Sequence, residues 1–80
     1  MSGARDADET IDVRDMTCAQ ALARVSQSFA ALRPGAVAAI HCTTDDVRDD
    51  LLSWARALEH PVVASDRHDD AWRLWIKKSP

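Results

Sequence analysis

The sequence predicts an α+β fold: a two-layer α/β sandwich in βαβαββ order, its four-stranded mixed sheet carrying two helices on one face. Three observations predict it. Leu22, Val25, Phe29 and Leu32, then Val47, Leu51, Trp54 and Leu58, recur at three- and four-residue steps, the spacing of one helix face. The stretches around them are short and either alternate or stay apolar throughout, as strands do. Pro34-Gly35 and Pro61 punctuate the boundaries.

Residues 1–9 are small or charged and read as a disordered tail, leaving a single domain over residues 10–80. Residues 10–14 alternate, with Ile11 and Val13 inward and Asp12 and Arg14 outward, which makes a first strand. Asp15-Met16 turns into the first helix. Thr17 and Gln20 have the spacing of a capping box, so Thr17 is the expected N-cap and Cys18 the first helical residue. Pro34 pushes its predecessor out of helical geometry, so this helix ends at Arg33-Pro34-Gly35.

Residues 36–42 are almost continuously apolar, as suits a central strand. Thr43, Thr44, Asp45 and Asp46 suit the start of a second helix, which must end near Glu59 because His60 precedes Pro61. Residues 61–67 form a third strand, placed at an edge by its leading proline. After a turn at His68-Asp69-Asp70, residues 71–78 form a fourth, with Trp72, Leu74 and Ile76 on one face and Arg73, Trp75 and Lys77 on the other. Strands one and two should be parallel through a right-handed crossover, and strands three and four an antiparallel hairpin.

Composition narrows the function classes. Eighty residues support one core, and a chain this short is marginally stable. A net charge of −3 argues against nucleic acid as a partner, although Arg73, Lys77 and Lys78 offer a local basic patch. No apolar run is long enough for a signal peptide or a membrane anchor, so a cytoplasmic, reducing location is expected. Two cysteines are too few for a disulfide scaffold.

Cys18 is the candidate for chemistry. As the first helical residue it lies beside unpaired N–H groups and the positive end of the helix dipole, which favours the nucleophilic thiolate. The Asp15 carboxylate opposes this, and Arg14 offsets Asp15. Thr17 and Gln20 hold the helix start. Parallel strands place Cys18 and Cys42 at one sheet edge, so Cys42 is either a second sulfur-handling thiol or a small core residue. Cys18, His41 and Cys42 lack the paired spacing of a zinc site, and no metal is expected. Asp45, Arg48 and Asp49 are either a partner surface near the thiol or a helix cap with an exposed ion pair. Arg73, Trp75 and Lys77 are either a sticky patch on the helix-free sheet face or an amphipathic ring shielding it. His60 and His68 read as solvated turn residues.

The ordered pieces Ile11-Asp12-Val13-Arg14, Cys18, Leu32-Arg33-Pro34-Gly35, Cys42-Thr43-Thr44-Asp45, Arg48-Asp49-Asp50, Glu59-His60 and Trp72 to Lys78 together resemble the TusA-like (SirA-like) sulfur-carrier family. The resemblance spans residues 10–78. It implies a two-layer sandwich and a persulfide carried on the cysteine that aligns with Cys18. It further implies no cofactor, with sulfur-donor and sulfur-acceptor proteins as partners. Ala19 and Ala21 stand where the family's Cys-Pro-x-Pro motif has prolines, and Asp15 where a glycine is common. The competing expectation is a degenerate TusA-like module without sulfur transfer, which binds a partner or forms a weak homodimer through the face around Trp75.

Overall fold

A computed structural model of the chain describes residues 7–79. The elements follow the expected order: β1 (Glu9–Asp12), α1 (Cys18–Ala31), β2 (Val37–Cys42), α2 (Asp45–Ala57), β3 (Val62–His68) and β4 (Ala71–Lys77). They build one four-stranded sheet in the order β1-β2-β4-β3. β1 runs parallel to β2, and β4 pairs antiparallel with both β2 and β3. The last strand in sequence thus lies inside the sheet, and β3 takes the edge that Pro61 predicts.

The core forms where both helices lie on one sheet face. Ala21, Val25 and Phe29 of α1 and Val47, Leu51 and Ala55 of α2 meet Ile11, Ala38, Ile40, Cys42, Leu74 and Ile76, all buried. The two-residue strand period puts Trp72, Leu74 and Ile76 on this face, as predicted.

The chain boundaries differ from the sequence expectation in ways that hydrogen bonding explains. Residues 1–6 of the expected tail lie outside the described residues. Asp8 and Glu9 belong to the sheet: the Asp8 N–H donates to the Val37 carbonyl at 2.8 Å, and Asp8 Oδ2 accepts from the Val37 N–H at 2.9 Å. Helix α1 stops at Ala31, because Leu32 is already extended (ψ 148°). The freed carbonyls are not left bare. Lys78 Nζ, from just beyond β4, donates to Phe29 O at 2.5 Å and Leu32 O at 2.7 Å, a charge supplied to a helix end that has none of its own. Helix α2 ends in a Schellman motif, with the His60 N–H on Ala55 O and the Glu59 N–H on Arg56 O. Glu59 occupies the left-handed position (φ 60°) that glycine usually takes.

His60 is not the solvated residue expected. Its ring lies 5.1 Å from that of Phe29 and 5.2 Å from that of Trp54, while Phe29 and Trp54 meet edge to face at 5.0 Å. Its Nδ1 accepts from the Ser79 N–H at 3.1 Å. Burial, aided by the nearby Lys78 charge, pushes its pKa down. His68, by contrast, is exposed in its turn beside Asp69.

The helix-free sheet face is crossed by two side-chain rows. Strand register aligns Thr10, Ala39, Trp75 and Ala64 in one, and Asp12, His41, Arg73 and Asp66 in the next. Trp75 is on this face as predicted, yet only 6% exposed. The Arg73 guanidinium lies 5.4 Å from its ring centroid and is itself held by Asp66 at 3.1 and 3.2 Å. The Trp75 ring is therefore covered and not open to solvent.

The β3–β4 hairpin closes through Asp69 and Asp70, both with positive φ (52° and 64°), the pattern of a type I′ turn. Two adjacent carboxylates occupy positions that suit asparagine and glycine. Left-handed geometry costs an ordinary L-residue about 1–2 kcal/mol, and glycine gives part of this back in chain entropy. Asp70→Gly should therefore stabilise the fold by up to about 1 kcal/mol, seen as a higher urea midpoint at unchanged slope.

Candidate functional site

The thiol is positioned by a short sequence of local decisions. The Met16 N–H bonds Val13 O at 3.2 Å, and Asp15 takes φ 70°, so residues 13–16 turn with the φ pattern of a type II turn. The third position of that turn suits glycine, which accounts for the glycine common there in the resembling family. Thr17 then caps α1 as predicted. Its Oγ1 accepts from the Gln20 N–H at 3.2 Å, and Gln20 Oε1 accepts from the Thr17 N–H at 3.0 Å. Cys18 follows as the first residue of α1, half-buried against the core.

The electrostatics of this position differ from the sequence expectation. The thiol pKa is raised, not lowered. The largest cause is the Asp50 carboxylate, acting as hydrogen-bond acceptor for the protonated thiol. Desolvation adds to it, followed by the negative charges of Asp50 and Asp46, and the helix-start amide opposes these only in part. Asp46 and Asp50 stand one helical turn apart on α2, and α1 and α2 pack side by side. Both helices begin at the carboxyl edge of parallel strands, so the acidic start of α2 lies beside the start of α1.

Neither Asp15 nor Arg14 acts on the thiol as expected. Arg14 is turned to Asp12, donating from Nε to Oδ1 at 2.9 Å and from Nη2 to Oδ2 at 2.8 Å. These bonds hold the Asp12 carboxyl down at about 2. Asp46 and Asp50 were the residues that sequence reasoning missed. Their four-residue spacing, read together with two helices on one sheet face, was the available signal.

Cys42 is fully buried, and burial pushes its thiol up to about 11 despite the Arg48 charge. Its surroundings are those of a small core residue. Among the described residues, no group of three or more His, Cys, Asp or Glu is arranged to hold a metal ion.

Asp45, Arg48 and Asp49 are drawn together around Trp72. Asp45 Oδ1 accepts from Trp72 Nε1 at 2.9 Å. The Arg48 guanidinium lies 4.4 Å from the Trp72 ring and donates to Asp49 at 2.9 and 2.7 Å. Arg67 of β3 adds a second guanidinium at 5.7 Å. Arg73, Trp75 and Lys77 lie on the opposite sheet face, so the expected partner surface divides into two unconnected groups.

A two-layer sandwich with one half-buried cysteine at a capped helix start, and a second sealed in the core, defines a class of small thiol-bearing proteins. The family described as sulfurtransferase TusA matches residues 9–78, and the chain belongs to that family. It is also similar to the "Putative sulfur carrier protein YrkI" of Bacillus subtilis (strain 168), 22% identical over 71 residues covering 89% of this chain and 95% of the relative. Family and relative together support a sulfur-carrier role, and with it contact with other proteins. Among the described residues, no helix is long and apolar enough to cross a membrane.

Proposed function

We propose that this protein relays sulfur as a persulfide on Cys18, between a donor protein and an acceptor protein in a reducing, cytoplasmic setting. The observation that carries the reading is the contrast between its two thiols: Cys18 half-buried at a helix start, Cys42 closed inside the core. In loading, the Cys18 thiolate attacks the outer sulfur of a donor persulfide. The donor S–S bond breaks, the donor cysteine leaves as thiolate, and a new S–S bond stands on Cys18. In unloading, an acceptor thiolate attacks that outer sulfur and Cys18 departs as thiolate. Sulfur moves without net oxidation or reduction, and no cofactor is required.

The carboxylates of Asp50 and Asp46 push the resting thiol pKa up and so oppose thiolate formation. A donor that brings positive charge against them would neutralise the cause of that shift and release the nucleophile. Docking then becomes the activating event. The altered motif, with Ala19 and Ala21, costs the helix start little, because the Thr17–Gln20 box holds it and alanine is the best helix former. The competing reading, a module that binds through an open face at Trp75, loses its main support because that ring is covered.

Intact mass tests the relay. The reduced protein, treated with a persulfide donor such as inorganic polysulfide, should gain one sulfur atom and lose it to added thiol. Cys18→Ser should gain none, while Cys42→Ala should load as the wild type does. Equal gain in Cys18→Ser would refute the assignment.

A further inference from the structure

The residues that follow β4 lie across the far ends of both helices. The Lys78 N–H donates to Ala36 O at 2.7 Å, and Lys78 O accepts from the Gly35 N–H at 2.8 Å. Lys78 Nζ holds the Phe29 and Leu32 carbonyls at the end of α1. The next residue meets the end of α2. The Ser79 N–H donates to His60 Nδ1 at 3.1 Å, and Ser79 Oγ lies 3.0 Å from the same nitrogen. Lys78 and Ser79 thus form a strap tied to α1, to the turn before β2 and to the α2–β3 corner.

The tie at His60 dictates a protonation state. A backbone N–H can only donate, so Nδ1 must offer its lone pair and the ring proton must sit on Nε2. The Ser79 hydroxyl rotates to share that lone pair. An imidazolium carries a proton on both nitrogens, which sets donor against donor and leaves the Ser79 N–H without its acceptor. Solvent protons can reach the ring, because it borders two open clefts. The charged groups lining those clefts are Arg56 and Glu59 at the end of α2 and Lys78 on the strap. From α1 come Ser26, Phe29 and Ala30, and from β3 Val62, none of them charged. Burial first, and the Lys78 ammonium second, oppose charging the docked ring. The docked ring therefore titrates below the ordinary histidine range, and docking weakens as pH falls from that range toward the lower value.

We infer that Lys78 and Ser79 are a proton-released strap: the neutral His60 ring holds them through Nδ1, and a proton on that nitrogen lets them go. Release takes the Lys78 ammonium away from the end of α1 and uncovers the corner between the helices. Helix α1 has 14 residues and is about 21 Å long, so the strap lies at its opposite end from Cys18. The strap does not depend on the sulfur relay.

NMR of the isotope-labelled protein tests this between about pH 8 and about pH 5, where histidine is the side chain that ordinarily titrates. At the upper end the His60 ring should show a bare Nδ1 and a protonated Nε2. On acidification the amides of Gly35, Lys78 and Ser79 should shift with the same midpoint as that ring. Their protection from exchange, expressed against the intrinsic rate at each pH, should fall about tenfold or more. His60→Asn keeps an acceptor oxygen near the place of Nδ1 but cannot titrate, so its strap amides should hold still across the range. His68→Gln and Cys18→Ser should follow the wild type, and circular dichroism confirms the fold of each variant. A protonated Nδ1 in the neutral ring, strap amides that ignore the His60 titration, or strap amides that still move in folded His60→Asn would overturn the strap. The first two outcomes are read on the wild type and stand whether or not a variant folds.

Discussion

Asp50→Asn should raise the rate at which Cys18 is alkylated at neutral pH severalfold. Alkylation follows the thiolate, and the Asp50 carboxylate is the largest single cause that raises the thiol pKa, first through its hydrogen bond and again through its charge. Asparagine keeps a neutral acceptor near the sulfur and removes the charge. The direction in pH follows from this. In the wild type the profile of rate against pH lies above that of an ordinary cysteine, and in Asp50→Asn it moves down. Asp46→Asn should move it the same way by less, since its charge is a smaller cause. Asp49→Asn is the control, because its carboxylate is bonded to Arg48. Iodoacetamide kinetics across pH, read by intact mass, report all three. Unmoved profiles in both Asp46→Asn and Asp50→Asn would show that acidic residues do not govern this sulfur.

Phe29→Ala should leave the protein close to unfolding at ambient temperature. The ring is 2% exposed and is the inner member of the trio with Trp54 and His60. Truncating a buried phenylalanine typically costs about 3–5 kcal/mol, from lost transfer energy and the cavity left behind. A domain of this size has about 4–12 kcal/mol in total. The loss is thus a large share of what holds the fold. It also weakens the ring packing that positions His60 against Ser79 and lies beside the Lys78 cap on α1. Urea unfolding followed by circular dichroism should show a midpoint shift larger than for Phe29→Leu, which keeps most of the apolar volume. A midpoint near the wild-type value would mean that the cleft around Phe29 collapses to fill the space.

Local pattern carried most of the architecture. The apolar steps from Leu22 to Leu32 and Val47 to Leu58, the capping box at Thr17, and the alternation through Trp72, Leu74 and Ile76 each determine an element or a face from neighbours in sequence. Features that depend on distant neighbours were not legible in the same way. Periodicity placed Trp75 on the helix-free face correctly but carried no information on how far that face is covered. Adjacency in the chain points to Asp15 and Arg14 as the charges on the thiol, whereas the acting carboxylates come from Asp46 and Asp50, a helix away. His60 read as a turn residue because it precedes Pro61, and only packing against Phe29 and Trp54 removes it from solvent. In each case the missing quantity was how side chains pack together in three dimensions, which neither periodicity nor adjacency in the chain supplies.

The place of β4 bears on how the chain is made. Synthesis delivers β1, α1, β2, α2 and β3 before the strand that joins them. Until Ala71–Lys77 has left the ribosome, β2 keeps one ladder unpaired and β3 has no sheet neighbour at all. Closure of the sheet, and the arrival of the Lys78 ammonium on the end of α1, must therefore come late in the birth of each molecule.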